Sequence, residues 1–440
     1  MLTDIDAALR SREMENPLSE GNKEALLTFL DKRDRGVAFR FVGRNDILTT
    51  VERQLRLTRE EQQSLPNVDI IQGPPGSGKS VLFQELKERY LEAASVVPVM
   101  LSGEDLNDKV SVAEAFVAAC GIDANALHHS TTKRISGTFG LSWIGASIDS
   151  NKHLPPPSEQ IQTGRSSIWS ALSRYLDIPK DTTFLVLVDE TQRVEPDPDS
   201  ANNNTAIKLA DGSTGTMKTC VVFGGLSDTS SRLKRVGVSQ RLASDSVHRL
   251  GAFTKEETEE LVHAFLTHEP FGLDALALDQ GDILKTITTA SDCYPRHVQS
   301  YLRGIAWECA NEASFDVGRA VNRGEAMRVS FYEGIVRDAE LQDFRHVLSA
   351  AAQSSGPNGT IKFDELAQIA AERLQMPRAE VWQATERAVH GGVLEGDMEA
   401  PSQGDSLKFP VPSLQTYAST GFDRTRTLSL LRAAEARGEH

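Results

Sequence analysis

Apolar and polar positions change texture along the chain. In the first 250 residues, short continuous apolar runs stand between segments of helical spacing. The runs are Val68-Asp69-Ile70-Ile71-Gln72, Ser95 to Leu101, Thr182 to Val188 and Thr219 to Leu226. Continuous apolar runs of this length predict strands buried on both faces, as in a parallel sheet. Pro98 removes a ladder donor and marks its strand as an edge candidate. Helices are predicted from Asn45 or Asp46, as cap, to about Glu61, from Val81 through Lys87, over Ser111–Cys120, over Ser158–Leu176, and briefly through Ile207 and Leu209. Between Lys133 and Asp149, Ile135, Phe139, Leu141, Trp143, Ile144 and Ile148 lie among glycines and serines, the pattern of a twisted β-hairpin. Pro155-Pro156-Pro157 stops it.

From Thr254 the pattern turns helical. Thr254-Lys255-Glu256-Glu257 reads as a capping box, and further helices are expected over Gly281–Ser291 and Pro295–Asn311. The last hundred residues read as a helix (Leu341–Ala351), a short strand (Thr360–Phe363), a helix capped by Asp364 and ending at Leu374, and a helix opened by Pro377 and ending at His390. Gly391–Glu395 and Ser406–Val411 then flank a polar loop as a hairpin. That order is winged-helix-like. The expected organisation is an N-terminal helical arm (1–36, with Leu26, Leu27 and Leu30 at helical spacing), an α/β nucleotide-binding domain (37–250, with the hairpin insertion at 133–150), a helical lid (251–335), the winged-helix-like domain (336–422) and a polar tail (423–440).

The chain has 440 residues, with 39% hydrophobic and 25% charged, a soluble globular composition. No apolar run approaches the ~20 residues of a membrane helix. Acids follow Met1 where a signal peptide would carry basic residues. Cys120, Cys220, Cys293 and Cys309 are scattered, which suits reduced thiols and a cytoplasmic protein. The formal net charge of −15 lowers the expectation of a protein that coats DNA by itself.

The first predicted strand runs into Gly73-Pro74-Pro75-Gly76-Ser77-Gly78-Lys79-Ser80, followed by Val81 at the start of a helix. This is G-x-x-x-x-G-K-[ST] in strand–loop–helix context, the spacing of a phosphate-binding P-loop. Its glycines let the backbone curl so that N–H groups meet phosphate oxygens at a helix N-terminus. Lys79 is expected on the β- and γ-phosphates of ATP and Ser80 on Mg²⁺. The run Val186-Leu187-Val188 ends in Asp189 and Glu190. Asp189 is expected to hold the metal and Glu190 to activate the attacking water. Ser227 and Asp228 follow the next strand. Arg232, Lys234, Arg235, Arg241 and Arg249 form a basic stretch, read either as a solvated face or as the source of an arginine for a neighbouring subunit's phosphate. His128-His129 show no metal-binding spacing.

Taken together, the first 310 or so residues resemble an AAA+ ATPase, nearest to the Orc/Cdc6 and STAND-related branch. Phe41-Val42-Gly43-Arg44 resembles the box II segment that seats adenine, which implies Val42 and Gly43 in nucleotide binding. Gly73 to Ser80 matches Walker A, and Val186 to Glu190 matches Walker B. Gly225-Leu226-Ser227-Asp228 stands at the sensor 1 position, with Asp228 or Ser227 in place of the usual asparagine. Ser239-Gln240-Arg241-Leu242 resembles the segment with the trans-acting arginine, making Arg241 the candidate. Tyr294-Pro295-Arg296 resembles sensor 2, with Arg296 on the γ-phosphate. The resemblance implies a Mg²⁺-dependent ATPase that works as an assembly switch, homo-oligomeric, engaging DNA or a protein partner. The alternative is a STAND-like regulator, as in a defence system, that binds a protein effector and not DNA.

Overall fold

The computed structural model describes residues 14–15, 18–31, 41–60, 68–91, 93, 95–128, 135–136, 147–148, 156–162, 168–169, 172, 182–195, 205–210, 217–238, 246–276, 280–356, 359–396 and 406–437. The chain forms two compact units. One, the α/β unit, comprises Arg44–Gln72 and Lys79–Arg249; the other, the helical unit, comprises Met1–Gly43, Gly73–Gly78 and Leu250–His440.

The α/β unit is built on a parallel sheet of five described strands: β1 (Val68–Gln72), β2 (Val96–Ser102), β3 (Thr183–Asp189), β4 (Lys218–Gly225) and β5 (Val247–Arg249). Their order is β2-β3-β4-β1-β5. The P-loop strand β1 therefore lies between β4 and β5, and β3 reaches it only across β4. Pro98 falls on β2, an edge strand of the described sheet, where proline is tolerated. Alternate residues Val97, Val99, Phe184, Val186, Val188, Val221 and Phe223 join one core cluster with Val112, Phe116 and Val117 of a helix at Lys109–Ala119. The intervening Leu185, Leu187 and Val222 are also fully buried, which is why these strands read as unbroken apolar runs.

Helix α1 (Asn45–Arg59) starts one residue earlier than a cap at Asn45 would place it. Its N-cap is Arg44, in left-handed backbone (φ 58°) and without a side-chain cap. Helix α2 (Lys79–Tyr90) follows the P-loop, and its Phe83 ring packs so closely on Gly224 that a Cβ there would lie 2.6 Å from it. In the insertion, residues 135–136 pair antiparallel with 147–148; Phe139, Leu141, Trp143 and Ile144 lie outside the described residues. His128 pairs with Glu114 at 2.6 Å, an intramolecular use for that histidine.

In the helical unit, the N-terminal helix Glu20–Asp31 buries Leu26 and is pinned by Asn22 Nδ2 donating to the Pro270 carbonyl (3.1 Å) and by Arg303 donating to that of Leu30 (2.8 Å). The Thr254–Glu257 capping box forms and opens a helix at Lys255–Leu266. A helix at Pro295–Asn311 then packs along one at Val317–Asp338. Gly304 and Gly324 let the pair approach: a Cβ at Gly304 would meet the Ala320 carbonyl at 2.3 Å, and one at Gly324 the Tyr301 ring at 2.6 Å. The carboxyl-terminal part holds helices at Arg345–Ser354, Phe363–Leu374, Arg378–His390, Leu414–Ser419 and Arg424–Arg437. Two of its details differ from the sequence expectation. Asp364 lies inside the first turn and receives Arg378, while the N-cap is Lys362. Strand Ser406–Lys408 pairs with Thr360–Lys362, and the 391–395 segment contributes one bridge, Glu395 to Lys408. No described helix is long and apolar enough to cross a membrane.

Candidate functional site

The sheet delivers β1 and β3 in parallel, so their carboxyl ends open on the same edge, where open α/β sheets hold ligands. From Gln72 the chain turns through Gly73–Gly78 into α2. Gly76 and Gly78 have φ of +81° and +97°, left-handed values that side chains resist. Gly73 is needed for a second reason: a Cβ would stand 2.5 Å from the Leu250 carbonyl. Ser77 is buried, and its N–H donates to the Pro74 carbonyl at 3.3 Å, closing the turn. The first turn of α2 has no acid, leaving its field favourable to anions.

Lys79, Ser80, Asp189 and Glu190 gather in the α/β unit. Ser80 Oγ donates to Asp189 Oδ2 at 2.6 Å. A hydroxyl and a carboxylate oxygen converging in this way are hard oxygen donors of the kind Mg²⁺ takes. Burial draws the Lys79 ammonium down to about 8, against the pull of Asp189 and then Glu190, which favour its charge. Glu190 itself sits in left-handed backbone (φ 50°) where β3 breaks into a short turn at Thr191–Arg193. Gly103 makes room for it: its N–H donates to the Asp189 carbonyl at 2.7 Å, and a Cβ would hit the Glu190 carbonyl at 2.3 Å. The Glu190 carboxylate pairs with Arg193 at 2.8 Å, and Arg193 also reaches Glu104 at 3.3 Å.

Asp228 follows β4 at the N-cap of a short helix, Thr229–Arg235. Its carboxylate is engaged by Arg232 of that helix at 2.8 Å, while its Oδ1 is buried with no hydrogen-bond partner. Ser227 adjoins it. Val81 follows Ser80 in the first turn of α2, and Lys234 and Arg235 are exposed.

In the helical unit the P-loop segment meets the Tyr294-Pro295-Arg296 motif. Tyr294 Oη donates to the Pro75 carbonyl. The Arg296 side chain lies against Gly76, where a Cβ would come within 2.7 Å of Arg296 Cβ. Its guanidinium donates to Gln299 (3.1 Å) and stands 5.5 Å from the centre of the Phe331 ring. Val42 is buried, and Gly43 (φ +73°) passes so close to Glu257 that a Cβ would lie 2.0 Å from Oε1. The same glutamate accepts from Thr254 N–H, so the capping box also clamps the Val42-Gly43 turn. Arg241 and its neighbours Ser239 and Gln240 lie outside the described residues.

Sequence reasoning missed three features. The Arg193 and Arg232 pairs had a signal, since Glu190–Arg193 and Asp228–Arg232 sit at i,i+3 and i,i+4, the spacings at which side chains meet on a helical turn. The contact of Tyr294 with Pro75 had none, as 219 residues separate the two. The buried pair His297 and Tyr332 was equally hidden: the Tyr332 hydroxyl donates to the Pro412 carbonyl at 3.0 Å and lies 3.1 Å from His297 Nε2.

This is a P-loop NTPase α/β fold. Among solved structures, the Walker-type ATPase PABY2304 of Pyrococcus abyssi superposes with a TM-score of 0.53 at 14% identity, over 88% of this chain and 99% of that one. The ORC2 protein of Aeropyrum pernix, in its ADPNP–ADP complexes, gives 0.51 at 12% identity over 92% and 98%. The fold is thus shared with these two structures. No protein-family model matches the sequence, and no curated protein matches it.

Proposed function

We propose that the protein binds and hydrolyses ATP with Mg²⁺ and uses the nucleotide as an assembly switch. The observation that carries this reading is the convergence of Ser80 and Asp189 at 2.6 Å beside Lys79, directly after a P-loop with two left-handed glycines. In this reading Gly73 to Gly78, with Pro74, Pro75 and Ser77, wrap the phosphates with backbone N–H groups. Lys79 balances the charge of the β- and γ-phosphates, and Ser80 and Asp189 hold the metal. Mg²⁺ supplies charge neutralisation at the phosphates when bound. Glu190 takes the proton of the attacking water. Arg296, fixed beside Gly76, reaches the γ-phosphate, and Arg241 completes a neighbour's site in a homo-oligomer. Val42 and Gly43 contribute to the base side of the nucleotide, and Asp228 to the wall beyond β4.

Residues 336–422 we read as a winged-helix-like domain that engages the client. For that client, one observation favours a protein over DNA. On helix Arg378–His390, Arg378 is tied to Asp364 and stands 5.0 Å from the centre of the Phe363 ring, while Glu380 is exposed. A helix that reads DNA presents free cations to phosphates. The test is ATP turnover and mass-based sizing with and without duplex DNA at two salt concentrations. DNA-stimulated, salt-sensitive behaviour supports a DNA-acting ATPase. ATP-driven assembly indifferent to DNA supports the partner-gated switch.

A further inference from the structure

Glu190 is the residue whose placement decides hydrolysis in the reading above, and its turn is braced by the segment beyond β4. Arg232 makes two bonds inside the α/β unit. Its Nε donates to Asp228 Oδ2 at 2.8 Å, and its Nη1 donates to the main-chain carbonyl of Gln192 at 2.7 Å. Gln192 lies in the Thr191–Arg193 turn that Glu190 opens. The packing around this brace is tight. A Cβ on Gly225, the last residue of β4, would meet Thr229 Oγ1 at 2.3 Å and Gln192 Oε1 at 2.9 Å. Asp228 is only 6% exposed at its side chain and Arg232 21%, so the pair is largely shielded from water.

We propose that Arg232 is a positioning residue for Glu190, acting in its own subunit through Gln192 and Asp228. The planar guanidinium fork is what lets one side chain hold a carboxylate and a carbonyl at once; a lysine keeps the charge but not the fork. Glu190 needs such a brace because its backbone occupies a conformation disfavoured for side-chain residues. A general base that drifts by an ångström loses its reach to the water. The role also separates Arg232 from the basic stretch around it: its guanidinium is already committed within the subunit, unlike an arginine offered to a neighbour's phosphate.

The inference rests on the ATPase reading. The test compares full-length wild type, Arg232→Lys and Arg232→Ala by kcat, by ATP dissociation constant and by thermal melting. Arg232→Lys preserves a cation for Asp228, so folding and ATP affinity stay near wild type, within about threefold, while kcat falls on the order of 100-fold. Arg232→Ala loses the same activity and also melts earlier, since it leaves the Asp228 carboxylate without its cation. Should Arg232→Ala fail to fold, Arg232→Lys decides alone. A second arm mixes Arg232→Ala with Glu190→Gln. A role within the subunit gives no recovery of turnover, because no subunit then has both residues. Wild-type kcat in Arg232→Lys, or recovery on mixing, overturns the proposal while leaving the ATPase reading intact. A wild-type protein that binds ATP and never hydrolyses it overturns both.

Discussion

The hydroxyl of Tyr294 donates a hydrogen bond to the main-chain carbonyl of Pro75, tying the start of helix Pro295–Asn311 to the middle of the P-loop. Tyr294 is otherwise buried among Val329, Tyr332 and Ile335, so its ring is fixed and only the hydroxyl reaches the loop. Tyr294→Phe keeps the packing and removes one neutral hydrogen bond, a loss of about 1 kcal/mol. ATP affinity measured by titration is expected to weaken about fivefold. An unchanged dissociation constant would show that the bond does not shape the loop.

Lys79 gives the site a pH dependence whose sign is fixed. In the folded chain its ammonium titrates at about 8, because burial outweighs the attraction of Asp189 and Glu190. Phosphate oxygens favour the charged form, so bound nucleotide holds the proton to higher pH. The ATP dissociation constant is expected to be flat below about pH 7 and to rise above about pH 8 toward tenfold per pH unit, with proton uptake on binding seen by calorimetry in two buffers. For stability the direction is the reverse. Between about 8 and the ordinary lysine value of 10.5 the unfolded chain holds the proton and the folded one does not, so stability rises with pH across that window. Affinity constant to about pH 9.5 would contradict this account of Lys79.

Glu190 trades stability for position. At φ 50° a side chain is strained and glycine is not. Glu190→Gly is therefore expected to be more stable than Glu190→Ala by about 1 kcal/mol, the opposite of the usual order of these two residues. Both variants lose the carboxylate and its Arg193 pair, so the comparison isolates the backbone. Denaturant midpoints decide it; an alanine variant as stable as the glycine one would mean the turn relaxes.

His297 makes the helical unit sensitive to acid. Burial, with the charges of Arg328 and Arg296, holds its imidazole well below the usual value of 6.5, against the Ser291 carbonyl at 3.1 Å. Below pH 6.5 the unfolded chain takes the proton and the folded chain does not. Stability is thus lost as pH falls, by up to about 1.4 kcal/mol per pH unit. Unfolding midpoints between about pH 7.5 and 5 should fall less steeply in His297→Gln than in wild type.

The parts of the fold legible in the sequence are those governed by local chemistry. Val186-Leu187-Val188 announces a strand buried on both faces, and Gly76 and Gly78 a loop needing left-handed backbone. The capping box at Thr254 is written in four consecutive residues. Strand order is not, because the placing of β4 between β1 and β3 depends on its pairing with β1 across more than a hundred residues. For the same reason the bridge of Lys408 to Glu395 was legible as part of a hairpin, while the pairing of Ser406–Lys408 with Thr360–Lys362 was not. At the site, the residue types proposed to hold phosphate and metal are visible in the motif. The residues that hold those residues, Tyr294 behind Pro75 and Arg232 behind Gln192, are visible only in the fold.

The central claim is that this P-loop binds ATP and that Glu190 drives its hydrolysis. The most direct measurement is ATP binding and turnover, with Mg²⁺, for wild type and Glu190→Gln side by side. The expected result is turnover by wild type, and in Glu190→Gln a retained ATP affinity with kcat lower by about 10²–10⁴-fold. A wild-type chain that does not bind ATP, or a Glu190→Gln chain that hydrolyses it at the wild-type rate, would contradict the claim.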